Sequence, residues 1–456
     1  MKSFRTCNDF VEIAVKTFFE RDKLRIARMG EANWIPVDLG WWGLHSWAPH
    51  RRSTVPDEIE YVCQKALAYD ACWSLETTLQ KIRSCGRWED IKRIIATYER
   101  LRLDGVFSDE VKQAVRQDGA EFQLVGSDAD GWRLVPVHYG PPHLVLNEAS
   151  RSWTLRCQRG PQPLRFRLYA LPMVSPYGAK ENPVLVDQKD ASVYRRRFAA
   201  PGCRSEIKPA TERAPDGEPC VAFLAASSRR DNAGWAARRL DLPRSGPRRN
   251  WPGLIEGLPE EIGKGKQWAR PLGLWVHGDG QGEVLNIQLQ SSNGGYRDHY
   301  IDIDFTGWKY VELTQPETDR VFDFKAGYLQ KHAVRHFQYD KLRSVYVRYN
   351  SIPAGREVRC MIGPIKALRE HWRPVAQPTL TVNGQTIAFP CELRTEQYLE
   401  FDGRGPARLY DREGKLISLV EPEGRVPALR QGQNTIRLSC RNDASYSQRV
   451  EVIVIH

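Results

Sequence analysis

At 456 residues the chain exceeds one ordinary domain, and about three are expected. Its hydrophobic fraction of 41% is enough for packed cores, while no apolar run reaches the length of a membrane-spanning helix. Lys+Arg 67 against Asp+Glu 56 gives a net charge of +11, spread along the chain with local clusters at Arg195 to Arg197 and Arg244 to Arg249. No nucleic-acid motif accompanies that charge, so neither a nucleic acid nor a membrane is expected as partner; a sulfated or uronic-acid glycan suits it as well as plain solvent does. The ten cysteines include no CxxC pair, which argues against zinc. Cys63, Cys72 and Cys440 fall inside apolar patterns and read as buried thiols.

The first thirty residues lack the uninterrupted apolar stretch and cleavage site of a secretory signal. Phe10, Val11, Ala14, Val15, Phe18 and Phe19 recur at helical spacing and predict an amphipathic helix capped at Asn8 or Asp9. WIPVDLGWWGL follows as a buried strand. Ser53, Thr54, Pro56, Asp57 and Glu58 open a second helix running to Asp70. A short strand at 71–77 and a helix over 88–103 complete a βα alternation that implies parallel pairing. From about 105 the pattern turns to β, with alternating runs in EFQLVGSDADGWRLVPVHYG and SWTLRCQRGPQPLRFRLYALP.

The most regular stretch is 268–313. Leu272, Leu274 and Val276, then Leu285, Ile287 and Leu289, then Ile301, Ile303 and Phe305 alternate with Trp, amides, Tyr and carboxylates. Gly/Asn/Asp/Ser clusters separate the three runs, and the stretch reads as a β-meander with one greasy and one polar face. Further strands are expected at 342–349 and 358–367. After the Pro-punctuated 372–378, short strands around an Asn383-Gly384 hairpin signal suggest an immunoglobulin-like sandwich.

WIPVDLGWWGL and STVPDEIEYVCQKALAYDACWSLETT, followed by a long helix, resemble the closing βα units of the (β/α)8 TIM barrels of bacterial glycoside hydrolases. The 268–313 stretch resembles galactose-binding-like carbohydrate-binding modules. Together these imply a multidomain α/β and all-β chain: a partial TIM barrel over 1–104, a small β-sandwich over 105–195, a jelly-roll over 196–371 and an Ig-like β-sandwich over 372–456. The resemblance also implies an extracellular or periplasmic setting and a polysaccharide or oligosaccharide partner. Because most barrel strands are missing, it implies a protein inactive alone, or an active glycosidase completed by another chain; a non-catalytic protein-interaction module is the remaining alternative.

In such a barrel Asp38 and Glu76 would stand at strand carboxyl ends as the catalytic carboxylate pair, with Trp41, Trp42, His45 and Trp47 as a sugar platform. In the jelly-roll, Trp275, Gln288, Tyr300 and Asp302 are the candidate sugar contacts: flat rings stack on sugar CH faces, and amides and carboxylates bind vicinal hydroxyls. No cofactor is expected; a structural calcium on Asp279, Asp298 or Asp302 has hard oxygen ligands but no recognised loop spacing.

Overall fold

The computed structural model describes residues 38–47, 52–146, 148–232, 234–242, 255–256, 271–313, 341–441 and 449–456. The helix expected over 8–28 lies outside them. The chain divides into two compact units, one formed by residues on both sides of the other, which spans Val174–Trp372.

In the first unit β1 (Asp38–Gly43) and β2 (Cys72–Glu76) pair in parallel around α1 (Pro56–Tyr69). Pro56 opens α1 without wasting a donor, and the Glu58 carboxylate accepts from the Val55 amide at 3.1 Å. Asp70, at φ 48, closes the helix in the left-handed region. Three helices follow: α2 (Leu79–Ser84), α3 (Trp88–Leu103) and α4 (Asp109–Arg116). Among the described residues this head is one βαβ crossover with added helices; its parallel sheet has two strands, and a TIM-barrel portion is not shown. Cys72, expected buried, is exposed, because the alternation of β2 turns Cys72, Ser74 and Glu76 outward.

After the hairpin β3 (Phe122–Ser127) and β4 (Gly131–Pro136), strands β5 (His143–Val145), β6 (Ser152–Cys157) and β7 (Arg165–Ala170) enter a β-sandwich. The chain then leaves for the second unit and returns to complete the same sandwich. β21 (Val375–Val382), β22 (Gln385–Ala388) and β26 (Gly432–Arg441) form one sheet with β6, in the order β22-β21-β26-β6. β23 (Tyr398–Phe401), β24 (Ala407–Tyr410), β25 (Leu416–Val420) and β27 (Val450–Ile455) form the other with β7 and β5, in the order β25-β24-β23-β7-β27-β5. The sandwiches expected at 105–195 and 372–456 are therefore one, with a single core that holds Phe166, Leu168, Leu380, Phe389, Phe401 and Val452. The Asn383-Gly384 hairpin holds: both residues have positive φ, 49 and 86, as a two-residue turn between antiparallel strands requires.

The second unit is a sandwich of its own. Its strands are β8 (Val184–Val186), β9 (Arg196–Ala199), β10 (Cys203–Pro209), β11 (Val221–Ser227), β12 (Gly234–Asp241), β13 (Leu272–Asp279), β14 (Val284–Ser291), β15 (Tyr296–Arg297), β16 (Tyr300–Asp302), β17 (Thr306–Leu313), β18 (Leu342–Ile352), β19 (Glu357–Ile362) and β20 (Ile365–Ala367). Among the described residues, a seven-stranded sheet of order β8-β20-β13-β19-β11-β10, with β17 beside β13, belongs to it. A six-stranded sheet of order β9-β12-β18-β14-β15, with β16 beside β14, is the other. The apolar phases of both close on one core containing Phe223, Leu274, Val276, Leu285, Ile287, Val347 and Tyr349.

This sets aside the meander. β13 and β14 are neighbours in sequence, yet β13 pairs with β17 in one sheet and β14 with β18 in the other. The chain crosses the core at 280–283, where Gly280 and Gly282 both adopt positive φ. Identical alternation in the two strands thus places their polar phases on opposite outer faces.

Candidate functional site

The outer face of the six-stranded sheet follows directly from strand register. One row across it is Arg196, Arg239, Tyr346 and Gln288; the row on one side is Asp241, Ser344, Gln290 and Tyr296. On the other side lie Phe198, Ala237, Arg348, Asn286 and Tyr300. Partners directly opposite share a face, so these side chains project together.

The centre is a fixed polar network. Asp298, 2% exposed, accepts at Oδ1 from the Asn286 amide at 2.6 Å and from the Gln288 amide at 2.8 Å. Asn286 Oδ1 in turn accepts from the His299 backbone N–H. A second string runs from Gln290, which donates to Tyr296 OH at 2.6 Å and accepts from Tyr346 OH at 3.2 Å. Arg239 reaches Tyr346 OH at 3.4 Å and also binds Asp241, which accepts from Ser344. Arg348 donates to Asn350 at 2.6 Å and lies 4.5 Å over the Trp235 ring. Phe198 and Tyr296 flank Tyr346 at ring-centroid distances of 6.0 and 6.3 Å, and Phe198 is 41% exposed.

Burial pushes the Asp298 carboxyl up, against the two amide hydrogen bonds and the Arg348 and Arg297 charges that pull it down. Beside it, burial takes the His299 imidazole down to about 4. Its Nδ1 donates to the Ile287 carbonyl at 3.0 Å, so the ring is neutral over the physiological range.

Gln288 and Tyr300 stand on this face, and Asp302 is exposed at its edge, opposite Val284. Trp275 does not join them. It lies on the outer side of the seven-stranded sheet, opposite Tyr310 with ring centroids 5.4 Å apart, and packs with Tyr177, Val174 and Leu368. His277 and Trp308 form the next cross-strand pair there. The possible calcium ligands are not brought together either. Asp279 accepts from Arg359 N at 2.7 Å and from Gln281, Asp298 holds the two amides, and no group of three His, Cys, Asp or Glu able to hold a metal occurs among the described residues.

In the head, β1 begins at Asp38, which pairs with Cys72; Glu76 ends β2 opposite Gly43. Four residues along β2, roughly 13 Å, separate Cys72, the partner of Asp38, from Glu76. Glu76 is exposed. Trp42 is 4% exposed and packs on Leu39, Tyr61, Val62 and Ala66, as core and not as platform. Trp47 is also buried; its indole N–H donates to Glu396 at 3.2 Å and Arg412 covers its ring. The side chains of Asp38 and Trp41 lie outside the described set.

No protein-family model and no curated protein matches the chain. Among solved structures it is similar to the family 11 carbohydrate-binding module of a cellulosomal cellulase of Clostridium thermocellum, at 12% identity and TM-score 0.28, over 42% of this chain and 98% of that one. An exo-β-agarase follows at 14% identity and TM-score 0.25, over 40% of this chain and 24% of the agarase. A β-1,2-glucanase from Parabacteroides distasonis gives 10% identity and TM-score 0.24, over 57% of this chain and 39% of the glucanase. The chain thus spans well under half of either enzyme, and at these scores the functional reading rests on its own residues.

Proposed function

We propose that the chain binds a polysaccharide or oligosaccharide through the outer face of the six-stranded sheet, and that it does not hydrolyse its ligand alone. The observation that carries this is the Asp298 clamp. A single buried carboxylate holds two amides on a face that carries Tyr346, Tyr296, Tyr300 and Phe198 beside Arg239 and Arg348. Asn286, Gln288, Asp298 and Tyr346 are buried and paired, as buried polar groups must be, while Tyr296 and Tyr300 are half-buried and Phe198 and Asp302 exposed. Planar amides held rigid next to aromatic rings lose little entropy when they take hydroxyl groups. Gln288, Tyr300 and Asp302 are the ligand contacts in this reading, extended by Tyr346, Tyr296 and Phe198, while Trp275 contributes to its own aromatic cluster.

What supports the non-catalytic half of the reading is a parallel sheet of only two strands among the described residues. The test is glycan-array binding of the purified chain beside a hydrolysis assay on the same polysaccharides. Binding without turnover, weakened in Phe198→Ala and Tyr296→Ala, is expected. Turnover abolished by Glu76→Gln would overturn the non-catalytic half of the reading, and an array with no binding would overturn the other half.

A further inference from the structure

A cavity unrelated to that sheet face lies within the first unit, where the opening turns of α1 and α3 meet the β23-β7-β27 region of the sandwich. Its volume is about 410 Å³, and five arginines and five carboxyl groups line it. Such a density of charge is unusual for a cavity between packed elements.

Arg167 is the centre of this wall. Its Nε donates to Glu400 at 2.6 Å and its Nη2 to Asp57 at 2.8 Å, while Nη1, although buried, has no hydrogen-bond partner among the described residues. The residue is only 4% exposed, so bulk water does not satisfy that nitrogen. An orphaned guanidinium N–H in such a place is costly unless a ligand meets it. Glu400 is also held by Arg87 at 2.9 Å, and the two guanidiniums keep its carboxyl below the usual range despite burial.

Glu60 is the other available group. Tyr98 OH and the Leu124 amide both donate to its Oε1, at 3.1 and 2.9 Å, which leaves Oε2. Burial raises its carboxyl to about 7, so its acid form is accessible near neutrality. In that state the ten charged groups of the wall sum to one excess positive charge. Half-buried Ile94 supplies apolar surface.

We infer that this cavity is a binding site for a small, singly charged carboxylate that also bears hydroxyl groups, of the uronate class. Its carboxylate meets Arg167 Nη1, the kind of guanidinium–carboxylate pairing that Arg geometry favours. A ligand hydroxyl meets Glu60 Oε2, as donor or acceptor according to the protonation of the acid. The volume fits one or two sugar rings. This site is independent of the sheet face in the second unit.

The experiment is titration calorimetry of the full chain at neutral pH with glucuronate, glucose and acetate. Glucuronate is expected to bind at least about tenfold more tightly than glucose, which lacks the charge, and than acetate, which lacks the hydroxyls. Affinity for glucose or for acetate equal to that for glucuronate, or no heat with glucuronate at millimolar concentration, overturns the inference. Arg167→Gln is expected to abolish binding. Because that change uncovers Asp57 and Glu400 and can unfold the head, Ile94→Trp, which fills the cavity and leaves every ion pair in place, is the second variant. It is expected to weaken glucuronate by about tenfold or more with an unchanged melting temperature, and unchanged affinity in it contradicts the site. Gln288→Ala, on the face of the other unit, is expected to keep full glucuronate affinity; a loss there places the ligand on the sheet and refutes the cavity.

Discussion

The two outer faces of the second unit are built from consecutive strands of equal length and nearly equal pattern, yet they are different surfaces. On the seven-stranded side the polar phase of β13 pairs aromatic with aromatic: Trp275 with Tyr310 and His277 with Trp308, half-buried and packed on one another. On the six-stranded side the polar phase of β14 is three amides, Asn286, Gln288 and Gln290, tied to Asp298, Tyr296 and Tyr346. Aromatic pairs satisfy themselves by packing, whereas an amide ladder has to be held by a hydrogen-bonding partner. The contrast separates a face satisfied by aromatic packing from one held by a buried carboxylate, and the proposal places the ligand on the second.

The largest separation of the two faces is expected at Asp298. Asp298→Ala leaves two buried amide groups without their acceptor, each worth about 1–3 kcal/mol. Chemical denaturation should show that loss, together with loss of carbohydrate binding, and Asp298→Asn, which retains an acceptor oxygen, should recover part of both. A stability change of a few tenths of a kcal/mol would mean that the clamp does not organise the face.

A pH effect comes next. Burial depresses the His299 imidazole to about 4 from its ordinary value of 6.5, so the unfolded chain takes up a proton before the folded one does. Stability of the second unit is therefore complete above about 6.5 and declines as pH falls through 6.5 toward 4. Hydrogen exchange at pH 5 against pH 7 should show β14 loosening before β13, and His299→Gln should flatten the dependence. A pH response shared equally by the two sheets would contradict it.

Smaller effects belong to individual side chains. Phe198→Ala or Tyr296→Ala should weaken polysaccharide binding by about 1–2 kcal/mol, read by affinity electrophoresis, with no shift in melting temperature. Trp275→Ala should leave binding unchanged and lower stability by about 1–3 kcal/mol through lost packing. Retained binding in the first pair and loss in the third would exchange the roles of the two faces.

Strand positions were legible in the sequence because burial on one side enforces a period of two: Leu272, Leu285 and Ile301 all mark strands that exist. Which sheet each strand joins was not legible, because pairing is set by the path of the turn at 280–283 and by partners some 60 residues away in β18. That is why Trp275 was grouped with Gln288. The strand LRSVYVRY was also recognisable, and its polar phase, Ser344, Tyr346 and Arg348, carried the missed part of the site in plain alternation. Asp298 offered no such signal, since it falls between two short strands and its role depends on two amides reaching it. The shared sandwich escaped for a similar reason: β6 and β26 are neighbours in space but lie on either side of an inserted unit.

The most direct test of the account is hydrogen exchange on the full chain with and without a polysaccharide that it binds. Slowed exchange over 284–302 and 342–352, with 272–279 and 306–313 unaffected, is the predicted result. Protection confined to 272–279 and 306–313 would contradict it and place the ligand on the Trp275 face.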